Sequence, residues 1–298
     1  STSNPTAAYF SVCHSSKPSI VLNNHLSSSS VASTPFLIIV KFPLKILEFS
    51  GIGPGPFCGM LLADLGAEVI RLDKASTNGM HNKADIHNRN KKSITVDLKN
   101  PDSVEQVKKL ISQMDGVFEG FRPGVMERLG LGPNDCMELN KSLVYGRMTG
   151  WGQEGPMALM SGHDINYIAL SGVLDSMGRK DENPQPPLNL IGDFGGGGML
   201  LAVGMLSAII HSQRTGQGQV VDAAMIDGSS MLMSMFYSFK EMGFWNEGKE
   251  SNLLDGAAHF YDTYECRDKK HIAIGAIEPQ FYSELLNKLD INDEMFID

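Results

Sequence analysis

From residue 44 onward, short apolar runs alternate with helix-like segments, and this alternation constrains the fold more than any other feature of the chain. Five runs have the length and apolar content of buried strands, namely KILEF (45–49), AEVIRLD (67–73), SITVDL (93–98), GVFEGF (116–121) and LVYGRM (143–148). Helices are predicted at 57–66 and at 101–113, where Asn100 is the N-cap and Pro101 lies in the first turn. Strands joined by helices through short connections predict an α/β fold, with a Rossmann-like large domain built on a parallel sheet.

The second half of the chain contains the end of the large domain and a predicted smaller domain. MLLAVGMLSAIIHSQR (199–214) is typical of a long apolar helix, and residues 220–243 indicate a short strand followed by a Met-rich helix. YDTYEC (261–266) and HIAIGAI (271–277) are strands of a smaller α+β domain. We therefore predict four parts, namely a disordered, Ser-rich extension at 1–43, a large domain at 44–222, a helical linker at 223–252 and a small domain at 253–298.

Composition and charge argue against several classes of protein. The net charge of −9 is unfavourable for a general nucleic-acid binder. The longest apolar run, at 199–210, is too short to cross a bilayer, so we expect no membrane insertion. The four cysteines are scattered and form no CxxC pair, so we expect no disulfide framework, no metal site and a reducing compartment. They are Cys13, Cys58, Cys136 and Cys266.

The glycine-rich segment GIGPGP (51–56) invites comparison with a dinucleotide-binding loop, because it follows a strand and Asp73 ends the next one. Such a loop binds pyrophosphate through backbone N–H groups, and Pro54 and Pro56 have none. The spacing also differs from G-x-G-x-x-G. We therefore predict a tight turn that allows the strand and the helix to pack closely.

A basic stretch follows in this acidic chain. Seven Lys and Arg residues lie between 71 and 99 against three Asp, and Arg122 and Arg128 come next. A local positive patch predicts a single anionic ligand, with phosphate as the natural target. The alternative is a solvated basic surface that binds nothing.

Three further stretches each carry a titratable residue next to an apolar run. His163 lies in SGHDINYIALSG (161–172), Asp193 in NLIGDFGGGGML (189–200) and Glu278 in AIGAIEPQFY (273–282). The segment NLIG before Asp193 is strand-like, and four glycines follow. Each has a plain structural explanation, as a helix cap, an N-cap and a surface turn, respectively. Together, a base, a second base and an orienting carboxylate suit proton abstraction next to a carbonyl group.

Seven blocks, in one order, carry a resemblance to a known family. They are GIGPGPFCGMLLADLGAEVIRLD, EGFRPGVMERLGLGP, GRMTGWGQEGP, GHDINYIALSGVL, PPLNLIGDFGGGGML, GQGQVVDAAMIDGSS and GAIEPQFY. From residue 44 to about 290 the chain resembles the α-methylacyl-CoA racemases, within the family III CoA-transferase superfamily. The resemblance implies the family III fold, an interlocked homodimer and a 2-methyl-branched acyl-CoA substrate whose α-proton is removed and returned. CoA is then part of the substrate and no separate cofactor is expected.

The resemblance also implies residue roles. His163 and Asp193 match the two acid/base positions on opposite faces of the substrate Cα, and Glu278 matches a residue that pairs with the His from the other subunit. N–H groups of Gly195–Gly198, at an expected helix start, would face the enolate. CoA contacts are expected at Lys74, Val96, Asp97, Leu98, Lys99, Gly120, Phe121, Arg122, Arg128, Gly162, Asp164, Asn166 and Tyr167. Relatives often have Arg at the position of Lys74. Lys keeps the positive charge of Arg but lacks its planar guanidinium group.

Other interpretations stay open at this point. In a CoA transferase, Asp193 would be a nucleophile that carries the acyl group as a mixed anhydride. The chain is also expected to be truncated at its C-terminus, which would allow an inactive product. The Met-rich helix fits an acyl channel or, more simply, core or dimer packing. The resemblance implies a peroxisomal or mitochondrial protein, with the cytoplasm as the alternative.

Overall fold

The computed structural model describes residues 44–74 and 84–296. The predicted extension at 1–43, with Cys13, and the basic residue Lys83 lie outside the described residues. The chain divides into two compact units. Among the described residues, the larger unit holds 44–74, 84–173 and 186–234, and the smaller unit holds 174–185 and 235–296.

The larger unit is built on a sheet of six parallel strands. They are β1 (Lys45–Phe49), β2 (Glu68–Lys74), β3 (Lys92–Val96), β4 (Gly116–Glu119), β5 (Val144–Thr149) and β6 (Val220–Ala224). The spatial order is β3-β2-β1-β4-β5-β6, and every neighbouring pair is parallel. This is the strand order of a Rossmann-like sheet, which confirms the predicted fold class. The order reverses between β1 and β4, so their carboxyl ends border a crevice suited to a ligand.

Helices connect and cover these strands. Those of the larger unit are α1 (Pro54–Asp64), α2 (Pro101–Ile111), α3 (Val125–Arg128), α4 (Pro133–Leu139), α5 (Asp164–Leu170), a π-helix (Leu190–Met199), α6 (Leu200–Thr215) and α7 (Met225–Leu232). The next helix, α8 (Ser234–Glu241), begins at the boundary between the two units. Short 3₁₀ turns lie at Ile86–Asn88, Leu174–Ser176 and Glu294–Phe296.

The inner strands β2, β1, β4 and β5 are mostly buried on both faces, whereas the edge strand β3 is mostly exposed. Successive residues of one strand belong to opposite cores. Ile46 packs with Phe118 on the side of α1 and α6, whereas Leu47 packs with Val117 and Tyr145 on the side of α2 and α4. Because both faces of the inner strands are covered, these strands are mostly apolar. The polar residues that they bury, such as Glu48 and Glu119, have cationic partners.

Three local predictions are corrected by the structure. Helix α1 begins at Pro54, three residues before the predicted start, because Pro at the first helical positions sacrifices no hydrogen bond. The segment NLIG, expected to be strand-like, enters the π-helix instead. The Met-rich segment forms two short helices, α7 and α8, where one was predicted; Met233 caps the first.

A buried ion pair fixes the junction of β1 and α1. Glu48 of β1 is fully buried, and its Oε2 accepts a hydrogen bond from Lys91 Nζ at 2.6 Å. Lys91 also donates to the carbonyl oxygen of Pro56 at 2.9 Å. Gly59 of α1 leaves the space that the Glu48 carboxylate occupies. The pair therefore joins the strand, the first turn of α1 and the segment before β3.

The apolar helical stretch is longer than the sequence indicated. The π-helix and α6 together form Leu190–Thr215, which by length and composition alone is sufficient to cross a membrane. The apolar run 199–210, by itself too short for a bilayer, is therefore one part of this longer helix. Leu201, Met205 and Ile209 of α6 are buried in the core beside the sheet, as expected of a core helix in an α/β fold.

The smaller unit has the expected α+β composition. Its strands β7 (Tyr261–Glu265) and β8 (His271–Gly275) are antiparallel and precede α9 (Pro279–Leu289). Arg179 ties the segment 174–185 to this unit, with Nη2 2.7 Å from Asp262 Oδ1 and Nη1 2.7 Å from Glu250 Oε1. The backbone N–H of Lys180 and then Arg179 lower the pKa of Glu250, and Arg179 lowers the pKa of Asp262. The segment 174–185 is therefore part of the smaller unit, although it lies far away in sequence.

Candidate active site

Asp193 lies in the π-helix, beside the turn that follows β1. Its half-buried carboxylate accepts a hydrogen bond from Asn189 Nδ2 at 3.1 Å. A Cβ at Gly53 would lie 3.2 Å from Asp193 Oδ2, and Gly53 has a φ of +72°. Glycine therefore allows both the close approach of the carboxylate and the positive φ of the backbone. Asp193 is therefore held at the carboxyl end of β1, at the reversal point of the sheet.

His163 is the N-cap residue of α5, and its side chain is exposed. Its backbone N–H donates to Asn166 Oδ1 at 2.9 Å. The next residue, Asp164, is buried and accepts the backbone N–H of Asp193 at 2.7 Å through Oδ2. This bond joins the start of α5 to the π-helix, and so links the two elements that carry His163 and Asp193.

The environment of Asp164 shifts the pKa of its carboxyl group upward. Burial is the main cause that raises the pKa of the Asp164 carboxyl, and the nearby Asp193 adds to it, while the N–H groups of Asp193 and Gly192 oppose it. The second oxygen, Oδ1, is buried and has no hydrogen-bond partner within residues 44–74 and 84–296. Asp164 was predicted to contact CoA, but its carboxylate is engaged with the π-helix. Tyr167, also predicted to contact CoA, is buried against Trp151 with ring centroids 4.7 Å apart.

The four glycines have a role that differs from the expected one. The π-helix already begins at Leu190, so the N–H groups of Gly195–Gly198 lie inside it and not at an open helix start. Gly196, Gly197 and Gly198 are buried. A Cβ at Gly196 would lie 2.6 Å from Ser229 N in α7, and one at Gly198 would lie 2.6 Å from Pro54 O in α1. The glycines therefore allow the π-helix to pack directly on two other helices.

We expect Gly228→Ala to lower the free energy of unfolding by about 1–3 kcal/mol, because the added methyl group overlaps the carbonyl group of Gly196 and neither backbone can move alone. Gly55→Ala is the matched control, since a Cβ at this position in α1 meets nothing within 4 Å. That control should be neutral or slightly stabilising. Urea unfolding of the two variants measures the difference, and equal stabilities would contradict the packing assignment.

Several of the residues expected to bind CoA lie along one edge of the sheet, whereas Gly162, Asp164, Asn166 and Tyr167 lie at the start of α5 and within it. Lys74 and Val96 end β2 and β3 and are paired in register, and Gly120–Arg122 follow β4 directly. Lys74 Nζ lies 5.9 Å from the centroid of the Phe121 ring. Because parallel strands share one carboxyl edge, residues from three strands meet here. Lys99, Arg122 and Arg128 are exposed near this edge.

The basic stretch at 71–99 is not one positive patch. Several of its residues have acidic partners. Lys91 lies on Glu48, Lys92 Nζ is 2.6 Å from Glu68 Oε1, and the Arg71 guanidinium is 2.9 Å from Asp73 Oδ2; Arg89 pairs with Asp64. Four of these charges are therefore paired with acidic side chains, and the pairs of Arg89 and Lys92 are at the surface. The anionic ligand stays a prediction.

Glu278 lies in the smaller unit, as the N-cap residue of α9, and is exposed. It lines a cavity of about 950 Å³ whose other lining residues come from the segment 174–185, from 254–256, from β7 and β8 and from α9. The structure of the larger unit brings His163 and Asp193 to linked elements, whereas Glu278 belongs to the other unit. Its predicted partnership with His163 stays a prediction.

Sequence reasoning missed three residues at this site. Asn189 binds the Asp193 carboxylate, Gly53 gives it room, and Glu119 accepts the backbone N–H of Phe121 at 2.7 Å. Asn189 precedes Asp193 by four residues, a spacing that would have suggested contact within a helix. The strand prediction for this segment hid that signal.

Comparison with known proteins places the chain in a family. The sequence profile of CoA-transferase family III matches residues 43–296. The chain belongs to CoA-transferase family III. This family assignment confirms the resemblance found in the seven sequence blocks.

Individual family III proteins show different activities. The chain is 45% identical over 251 residues to "Alpha-methylacyl-CoA racemase" of Mus musculus, which covers 84% of this chain and 65% of that protein. It is 34% identical over 255 residues to "Succinyl-CoA--D-citramalate CoA-transferase" of Chloroflexus aurantiacus, covering 81% and 63%. The chain therefore spans slightly less than two thirds of either relative.

A solved structure in the same family supports the fold. The crystal structure of a CAIB/BAIF family protein from Brucella suis aligns with a TM-score of 0.72 and 27% sequence identity. The alignment covers 85% of this chain and 71% of that one. The fold found here is therefore that of family III.

Proposed function

We propose that the chain interconverts the (2R)- and (2S)-forms of 2-methyl-branched acyl-CoA thioesters by removing and returning the α-proton. One observation carries this proposal. The bond from the Asp193 N–H to the Asp164 carboxylate joins the elements that carry two groups able to exchange protons. The identity to a mouse α-methylacyl-CoA racemase, 45% over 251 residues, supports the same reaction.

The chemistry requires two proton carriers. An α-proton of a thioester is very weakly acidic, so a positioned base must accept it while charge develops on the enolate oxygen. With one enantiomer, neutral His163 takes the proton and protonated Asp193 delivers another to the opposite face of Cα. With the other enantiomer, the Asp193 carboxylate takes the proton and the imidazolium delivers one. Each turnover therefore exchanges the protonation states of the pair.

Residues outside this pair are assigned supporting roles. Glu278 would orient the His163 imidazole from the second subunit of an interlocked homodimer, an assignment that rests on the family resemblance. The pantetheine and nucleotide parts of CoA would lie along the carboxyl edge of β2, β3 and β4, where Lys74, Phe121 and Arg122 are found. The CoA moiety belongs to the substrate, so the proposal needs no further cofactor.

A CoA transferase is the second candidate, and the 34% identity to a citramalate CoA-transferase supports it. Asp193 would then attack the thioester carbonyl, release CoA thiolate and hold the acyl group as a mixed anhydride. His163 has no task in that scheme, and we favour the racemase for this reason. Either activity belongs to fatty acid or organic acid metabolism, and for the racemase we propose a peroxisomal or mitochondrial location.

Deuterium incorporation tests the proposal directly. We expect the protein, incubated in D₂O with a (2R)-2-methylacyl-CoA, to place deuterium at C2 while the thioester loses optical purity. Mass spectrometry of the thioester and chiral chromatography of the hydrolysed acid measure the two events. Transfer of CoA to citramalate or succinate without deuterium at C2 would show the transferase instead.

A further inference from the structure

We infer that Glu119 is a positioning residue that holds the loop Gly120–Arg122 in the conformation that binds the CoA part of the substrate. The inference deepens the proposed function, since it rests on the assignment of this loop to CoA. Three observations carry it, namely the burial of Glu119, its bond to the loop backbone and its link to Arg147.

Glu119 reaches the loop through one carboxylate oxygen. It is the last residue of β4 and is 1% exposed. Its Oε2 accepts the backbone N–H of Phe121 at 2.7 Å. This bond fixes the backbone two residues beyond the strand, where the chain would otherwise be free to turn in several ways.

The other carboxylate oxygen connects to the next strand. Glu119 Oε1 accepts from Arg147 Nε at 3.2 Å, and Arg147 lies in β5. Arg147 Nη1 donates in turn to Glu127 Oε1 in α3 at 2.8 Å. The guanidinium therefore links β4 and β5 to the short helix that ends at Arg128, another residue assigned to CoA.

The loop held by this network carries the Phe121 ring, which lies at the carboxyl edge of the sheet, where CoA is expected to bind. The Phe121 ring meets Phe49 edge to face, with centroids 6.3 Å apart, and lies within 5.9 Å of Lys74 Nζ. A change in the Phe121 backbone would move the ring away from Lys74 and also move Arg122. Glu119 therefore sets the distances from Phe121, which follows β4, to Phe49 in β1 and to Lys74 in β2.

Burial of Glu119 makes its hydrogen bond to the loop sensitive to pH. It raises the pKa of Glu119 to about 7, although the Phe121 N–H and Arg147 both oppose the rise. The titratable and charged groups that act on it are Arg147, with Tyr145 beside it in β5, and Glu127 of α3. Protonation removes the charge from the bond to the loop and from the pair with Arg147. CoA should therefore bind more weakly as the pH falls through about 7.

The test compares Glu119→Gln with Glu127→Gln, using free CoA as the probe in isothermal titration calorimetry. Both variants remove one carboxylate from Arg147, but only Glu119 touches the loop. We expect Glu119→Gln to raise the Kd of CoA about tenfold, the usual effect of one charged hydrogen bond. Glu127→Gln should change it by less than about threefold. In the exchange assay, Glu119→Gln should raise KM and leave kcat near its original value.

Failure of the inference and failure of the proposed function are distinguishable. A folded Glu119→Gln variant with unchanged CoA affinity overturns the inference, whatever the activity. Tight CoA binding that Glu119→Gln weakens, in a protein that exchanges no α-proton, supports the inference and removes the racemase. If Glu119→Gln does not fold, Arg147→Lys replaces it, because Lys keeps the charge but loses the Nε donor. Unchanged Kd in Arg147→Lys, together with a flat pH profile of the original protein, overturns the inference.

Discussion

Replacing Asp193 with Asn should lower the rate of α-proton exchange by about a thousandfold or more, within the range expected for loss of a general acid–base group. The variant keeps the size of the side chain and can still meet Asn189, so the fold should not change. His163→Ala should cause a loss of similar size. Each loss falls on the enantiomer whose α-proton that residue removes; exchange from the other enantiomer should persist without racemisation, because inversion needs both groups. The measurement is the initial rate of deuterium uptake at C2, taken separately from each enantiomer of the thioester.

Two comparisons make this result specific. His211→Ala is the matched control, since His211 is an exposed histidine on α6 and should be dispensable. A transferase would behave differently, because it needs the Asp193 nucleophile but not the imidazole. If Asp193→Asn loses CoA transfer and His163→Ala keeps it in full, the protein is a CoA transferase and not a racemase. Full deuterium exchange from both enantiomers in either variant would remove that residue from the mechanism.

The strands and their parallel orientation could be predicted from the sequence because the signals are local. Each apolar run such as KILEF or LVYGRM is long enough for one buried strand, and the helices between them allow only parallel neighbours. Caps such as Asn100 are equally local, and its side chain does accept the N–H of Asp102. These features depend on a few consecutive residues, so the sequence contains them in full.

The π-helix could not be predicted in the same way. Its i→i+5 hydrogen bonds leave no distinct periodicity in a ten-residue segment, and the run of glycines favours an open loop. The segment is helical because Gly196 and Gly198 allow contact with α7 and α1, and because Phe194 stacks on Phe57 with centroids 4.7 Å apart. Those partners lie far away in sequence, so tertiary packing decides the conformation.

The ion pairs within the basic stretch could not be predicted for a related reason. Arg89 and Lys91 are near neighbours in sequence, yet each is paired with an acid more than twenty residues away, Asp64 and Glu48. A sequence shows how charges are grouped along the chain but not which of them meet in the fold. The residues left at the carboxyl edge of the sheet, such as Lys99 and Arg122, are the part of the patch that is consistent with an anionic ligand.

The largest effect on stability is expected for Lys91→Met, which should lower the free energy of unfolding by about 3–5 kcal/mol. The substitution leaves the Glu48 carboxylate fully buried without its partner and removes the bond to Pro56 O. Pro56 lies in the first turn of α1, and Gly53, the N-cap of that helix, lies against the Asp193 carboxylate. The variant should therefore lose activity as well. Urea unfolding at several pH values measures the effect.

The pH dependence has a definite sign. Burial already raises the pKa of Glu48, while Lys91 lowers it, so the pKa must rise further in Lys91→Met. The folded state then keeps a proton that the unfolded state releases above its ordinary value of 4.5. The unfolded state binds fewer protons, so the stability of the variant falls as the pH rises above that value. At lower pH, with Glu48 neutral in both states, most of the loss should disappear.

Lys92→Met is the control that isolates burial as the cause. Lys91 and Lys92 are adjacent, and each forms an ion pair with an N–O distance of 2.6 Å. The Lys91 side chain is 2% exposed and the Lys92 side chain is 71% exposed. An exposed pair contributes about 0–1 kcal/mol, so Lys92→Met should have little effect. A second check is Glu48→Gln combined with Lys91→Met, which should recover most of the stability because no buried charge remains. Equal losses in the two lysine variants would show that the buried pair does not hold the junction of β1 and α1.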